Sequence, residues 1–65
     1  MLERQAHIAL FIDGDNISHN AIEGIINELS KHGTVSIRQA YGNWSKDSLK
    51  NWEPRLLEYA IRPVQ

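Results

Sequence analysis

The sequence predicts an α/β domain built on a parallel sheet in βαβαβ order. Three observations predict it. A short apolar run at residues 8–12 ends abruptly in acids. Two later stretches repeat apolar residues at helical spacing, and stretches rich in β-favouring residues alternate with them. Such strand–helix–strand units are joined by right-handed crossovers.

The first strand is expected at residues 7–12. Its apolar run is too short for a membrane span and has the length of a strand buried on both faces of a parallel sheet. Asp13-Gly14-Asp15-Asn16 follows, and Gly14 is expected to ease the turn. A helix is predicted over residues 19–32, where Ile22, Ile25, Ile26 and Leu29 form one apolar stripe. Asn20 with Glu23 resembles a capping box, and Ser18 is a rival cap. Gly33 is read as the stop signal.

The second strand is expected at residues 34–41, ended by Gly42-Asn43. Ser45 or Asp47 is expected to cap a second helical segment, whose stripe is Leu49, Trp52, Leu56 and Tyr59, with Leu57 and Ala60 beside it. Pro54 fits the first turn of a helix starting near Asn51, or else a kink. Residues 61–65 read as a third strand, and Pro63 sends it to a sheet edge or a bulge.

The chain has 65 residues and a formal net charge of -1, so bulk charge makes no case for nucleic-acid binding. There are no cysteines, which excludes disulfides and thiolate zinc sites and fits a reduced, cytoplasmic setting. The charged opening, Met1-Leu2-Glu3-Arg4-Gln5, does not resemble a signal peptide. Asn16-Ile17-Ser18 matches a glycosylation sequon and is read as chance.

The chemistry collects where the first strand ends, because in open α/β sheets ligands bind at the carboxyl ends of the strands. Asp13 is the central candidate: an acid closing an apolar strand is costly unless it has a task. A hard cation such as Mg²⁺ takes one or two carboxylates with water and phosphate oxygens. Asp13 and Asp15 are therefore the candidate metal ligands. Asn16 suits a phosphate oxygen or the orientation of a ligating carboxylate. Asp15, Asn16 and Ser18 have a plainer alternative as helix caps. Tyr41 and Trp44 either stack on bases or pack against the sheet edge and the next helix. Trp52 belongs to the core. His7, His19 and His32 show no metal-ligand spacing, and His19 reads as a solvated first-turn residue. Lys46, Lys50, Arg38 and Arg55 either touch phosphates or are simply solvated.

The stretch Ile8-Ala9-Leu10-Phe11-Ile12-Asp13-Gly14-Asp15-Asn16-Ile17 resembles the opening motif of NYN domains, a branch of the PIN-like nuclease superfamily. Gly33-Thr34-Val35-Ser36-Ile37-Arg38-Gln39-Ala40-Tyr41-Gly42-Asn43-Trp44 is similar to the second strand and turn of bacterial members. Leu56-Leu57-Glu58-Tyr59-Ala60-Ile61-Arg62-Pro63-Val64-Gln65 resembles the second helix leading into the third strand.

The resemblance implies the first half of a PIN-like, three-layer Rossmann-like domain. Residues 1–65 are then a partial NYN domain, truncated after the third strand. It implies a metal-dependent ribonuclease that uses Mg²⁺ or Mn²⁺ and a metal-activated water on RNA, expected to be single-stranded. Asp13 matches the family's first metal-binding acid and Asn16 its polar partner, giving both a catalytic role. Asp15 matches a more variable position and takes a supporting one. Asn16, Ser18, Tyr41 and Trp44 are the expected substrate contacts. Two departures stand out: Asn43 replaces an acid often found in the family's turn, and the family's later acids lie beyond the third strand. The competing functions are a non-catalytic RNA- or protein-binding fragment and a haloacid-dehalogenase-like phosphatase, with Asp13 as nucleophile and Asp15 as general acid. Both crossovers are expected on one side, leaving one sheet face bare and the first strand's edge open. The isolated chain is then expected to self-associate, to dock onto the missing part, or to stay loosely folded.

Overall fold

The computed structural model describes residues 6–65. Strand β1 spans Ala6–Asp13, and a 3₁₀ turn at His19–Ala21 leads into helix α1 at Ile22–Ser30. Strand β2 spans Gly33–Tyr41. A longer 3₁₀ segment at Asp47–Trp52 passes into helix α2 at Glu53–Glu58, and strand β3 spans Arg62–Val64. The sheet is parallel, in the order β1-β2-β3. This is the expected βαβαβ arrangement, with the Pro63 strand at an edge. Among the described residues no helix is long and apolar enough to cross a membrane.

Both helical segments cover the same sheet face. Ile12 and Ala40 from that face join Ile22, Ile26, Leu49, Trp52 and Ile61 in one buried cluster, with Leu10, Trp44, Leu56 and Tyr59 around it. Burying each large side chain stabilises the fold by about 1.5–3 kcal/mol. The other face is bare: Phe11 is 59% exposed and Ile37 47%. β1 is thus buried on one face only, a correction to the two-sided burial its apolar run suggests. The reason is that both crossovers pack on one side of the sheet.

Several local expectations change. Ser18 caps the first helical segment, its Oγ accepting from Asn20 N–H at 3.1 Å, while α1 itself begins without a side-chain cap. The Asn20–Glu23 capping box therefore does not form; the tighter 3₁₀ turn displaces the start of α1 to Ile22. Gly33 is not a left-handed helix cap, since no described glycine has positive φ; it opens β2 instead. The second helical segment follows Lys46 with no side-chain cap, so neither Ser45 nor Asp47 serves. Pro54 lies in the first turn of α2, as its missing N–H requires. Leu57 is 86% exposed and stands off the apolar stripe.

The β1–β2 ladder slips once. Ile8 faces Val35 but Ala9 faces Ile37, leaving Ser36 as an extra residue. Arg38, on the helix-covered face, mends the slip. Its Nε donates to the Val35 carbonyl at 3.1 Å and its guanidinium to the Tyr59 carbonyl at 2.7 Å. The bulge and the end of α2 thus share one cation, and Arg38 is a structural residue rather than a phosphate contact.

Candidate functional site

The carboxyl ends of β1 and β2 lie side by side, with Asp13 opposite Tyr41 in register. Alternation along β1 puts Asp13 on the bare face with Phe11, away from Ile12. The chain then turns tightly. Asn16 and Ile17 N–H groups both donate to the Asp13 carbonyl, at 3.1 and 3.0 Å. This turn brings the Asn16 side chain back, and its Nδ2 donates to Asp13 Oδ2 at 2.7 Å. An exposed carboxylate is thereby held in one orientation by a neutral amide, without a competing cation in that bond.

Gly14 contributes space rather than an unusual φ. Its N–H donates to the Tyr41 carbonyl at 2.7 Å, continuing the sheet past the strand end. A Cβ there would lie 2.9 Å from Trp44 Cη2 and 3.0 Å from the Tyr41 carbonyl oxygen. Gly42 on the neighbouring loop has Asp15 Cγ 3.6 Å from where a Cβ would stand. The motif loop packs closely on the turn after β2 because Gly14 has no side chain at that contact, whereas Asp15 lies at ordinary contact distance from Gly42.

The expected site residues divide accordingly. Asp13, Asn16 and Tyr41 come together at the strand ends. Tyr41 is exposed, its ring centroid 6.3 Å from that of Phe11 and its hydroxyl donating to Gln39 Oε1 at 2.9 Å. Asp15 turns to the other loop and pairs with Lys46 at 3.6 Å. Ser18 is occupied as a cap. Trp44 packs edge-on against Trp52 and donates its indole N–H to the Val64 carbonyl at 3.0 Å. That bond ties the turn after β2 to β3.

The chain's family is decided by a comparison. The NYN domain family model matches residues 7–65, nearly the whole chain. The chain belongs to the NYN domain family. No curated protein and no solved structure matches it. NYN domains are nuclease-like, of the RNase type, and nucleases of this kind typically use divalent metals.

The NYN residues present here fall short of a metal centre. Among the described residues no group of three or more His, Asp or Glu side chains is placed to hold an ion. Asp13 offers a carboxylate, while that of Asp15 is drawn to Lys46. One carboxylate suits a share in a hard-cation site completed by other oxygens. It does not make a site that holds a metal by itself.

Asn43, the departure from the usual NYN turn, is a structural hub. Its Oδ1 accepts from the Ser45 N–H at 3.3 Å, the Ser45 hydroxyl at 2.6 Å and Gln65 Nε2 at 3.2 Å. His19 is also not the solvated residue its position suggests. It is half-buried, edge-on to Trp52 with ring centroids 6.4 Å apart, and its Nδ1 is buried without a hydrogen-bond partner among the described residues. Sequence reasoning reads Lys46 only as one of four cations that touch phosphates or are solvated, and Asn43 only as a strand end and a departure from the family's turn. Gln65, which donates to Asn43, and Asp15, which meets Lys46, lie far along the chain, where no local pattern points to them.

Proposed function

We propose that this chain supplies the first acidic motif of a metal-dependent ribonuclease centre acting on single-stranded RNA, with Mg²⁺ or Mn²⁺ as the cofactor. The observation that carries this reading is the Asn16–Asp13 bond: a carboxylate at a strand's carboxyl end, exposed and oriented by an amide. Asp13 is the ligating acid and Asn16 the residue that orients it. Tyr41 stands next to Asp13 on the open face and offers a surface for a base to stack on. Asp15 keeps a supporting role and Ser18 a structural one. The remaining carboxylates come from outside residues 6–65, which makes the described residues one wall of the centre. The phosphatase alternative loses support because the family is a nuclease one.

The test is RNA cleavage in Mg²⁺ or Mn²⁺ by the complete domain, with circular dichroism as the folding control. Asp13→Asn is expected to abolish cleavage while leaving the fold intact. Asn16→Ala is expected to lose about 10–100-fold, the range for residues that orient a metal ligand. Asp15→Asn is expected to be far milder, since it removes only an exposed ion pair. Undiminished cleavage by a folded Asp13→Asn protein would refute the assignment.

A second reading, RNA binding without turnover, is favoured by the shortage of clustered carboxylates among the described residues. RNA binding with no cleavage in either metal supports it.

A further inference from the structure

The described cations are not equivalent. Lys31 pairs with Glu28, Lys50 with Asp47 and Arg55 with Glu58, each with an acid three residues away on its own helical segment or its flank. Arg38 is spent on two carbonyls. Lys46 alone among these reaches across to another loop, and the acid it meets is Asp15 of the Asp13-Gly14-Asp15-Asn16 motif.

We infer that Lys46 is the phosphate-contacting cation of this site, resting on Asp15 in the free protein and transferring to the RNA backbone when RNA binds. The inference rests on the ribonuclease reading and adds a substrate-binding residue to it.

Its backbone position is built. Lys46 N–H donates to the Asn43 carbonyl at 3.0 Å, and its own carbonyl accepts from Leu49 N–H at 3.1 Å. Leu49 is buried, and Asn43 is the hub of the turn. The close approach of Gly14 to Trp44 and to the Tyr41 carbonyl holds the motif loop against the turn that carries Lys46. The backbone from which the ammonium reaches Asp15 is therefore held in place by the turn.

The pair itself is weak. At 3.6 Å, with the Lys46 side chain 54% exposed and that of Asp15 37%, it lies in solvent-screened surroundings. A phosphodiester oxygen offers Lys46 a charge-assisted contact at least as strong. Exchange from carboxylate to phosphate thus costs little. Asp15 also offsets the Lys46 charge, which moderates attraction for other anions.

The experiment is equilibrium binding of a fluorescein-labelled oligouridylate of about ten nucleotides. It uses the full chain in EDTA, titrated between about 50 and 200 mM KCl. EDTA removes cleavage, so only binding is read. Lys46→Gln is expected to weaken binding about three- to tenfold. It should also reduce the slope of log affinity against log salt by about 0.7, the value for one lost contact on a single strand. Lys46→Arg should keep the wild-type slope, which separates a charge role from a folding defect. Asp15→Asn should bind about two- to fivefold more tightly by freeing Lys46. Lys50→Gln removes the same charge from the same segment and should leave the slope unchanged. Equal effects of Lys46→Gln and Lys50→Gln would overturn the role of Lys46 while leaving the ribonuclease reading in place. Wild-type protein that does not bind the oligouridylate at all would overturn both.

Discussion

Ala60 adopts φ 52°, a left-handed conformation that alanine resists. It does so because α2 ends in a Schellman arrangement: Ile61 N–H donates to the Leu56 carbonyl at 2.8 Å and Ala60 N–H to the Leu57 carbonyl at 3.4 Å. The turn carries the chain from the end of α2 straight into Ile61 and β3, so the strain is held by the buried Ile61. Glycine at this position relieves the Cβ clash and gives back part of the gain as unfolded-state entropy. Ala60→Gly is expected to stabilise the domain by roughly 1 kcal/mol in urea unfolding. Loss of stability on this substitution would show that the Ala60 methyl makes packing contacts that outweigh its strain. Asp13 poses the opposite case, an acid left exposed beside an apolar strand. Its cost is small only because it faces solvent and accepts from Asn16.

At the scale of elements, the sheet's carboxyl end is held by a short list of cross-connections. Gly14 N–H extends β1 onto β2, Gly42 N–H extends β2 onto the Val64 carbonyl at 3.1 Å, and Trp44 donates to that same carbonyl. The motif loop, the turn after β2 and the end of β3 are thereby one connected unit. Gly14→Ala tests it. The new methyl meets a backbone carbonyl as well as an indole ring, and the carbonyl cannot move without disturbing the ladder. A loss of about 1–3 kcal/mol is expected in urea unfolding, with amide exchange accelerating at Gly42 as well as at residue 14, and indole N–H exchange at Trp44. Faster exchange confined to the motif loop would mean that the three segments move independently. The bulge at Ser36 is a second device of this kind, and Arg38 joins it to the far end of α2.

For the molecule as a whole, the unbalanced sheet matters most. Ile37, Tyr41 and Phe11 stand exposed on the face opposite the helices. β1 is a sheet edge, and residues 8–12 carry neither charge nor proline to guard it. A formal net charge of -1 supplies little repulsion between copies. Concentration-dependent association is therefore expected in analytical ultracentrifugation. Phe11→Ser combined with Ile37→Ser should shift the protein toward monomer while preserving its circular dichroism, because neither residue belongs to the buried cluster. A wild-type monomer at high concentration would show that this face is tolerated in water without a partner.

Short-range sequence pattern was enough for the order of strands and helices, the place of Pro54, the edge position of the Pro63 strand and the collection of polar groups after β1. Each of these is written in residues close together: a period, a proline, an acid ending an apolar run. The Asp13–Asn16 pair was legible for the same reason, since three residues of turn bring them into contact. Tertiary structure decided the rest. Nothing local shows that Asp15 leaves Asp13 for Lys46, that Arg38 serves a bulge and a helix end, or that Trp44 is tied to Val64. Nor does the pattern of β1 reveal which face stays bare, because an apolar strand looks the same whether one side or two are covered. These choices depend on how closely two loops approach and on which side both helices pack, and such distances are set by contacts between residues some twenty or thirty positions apart.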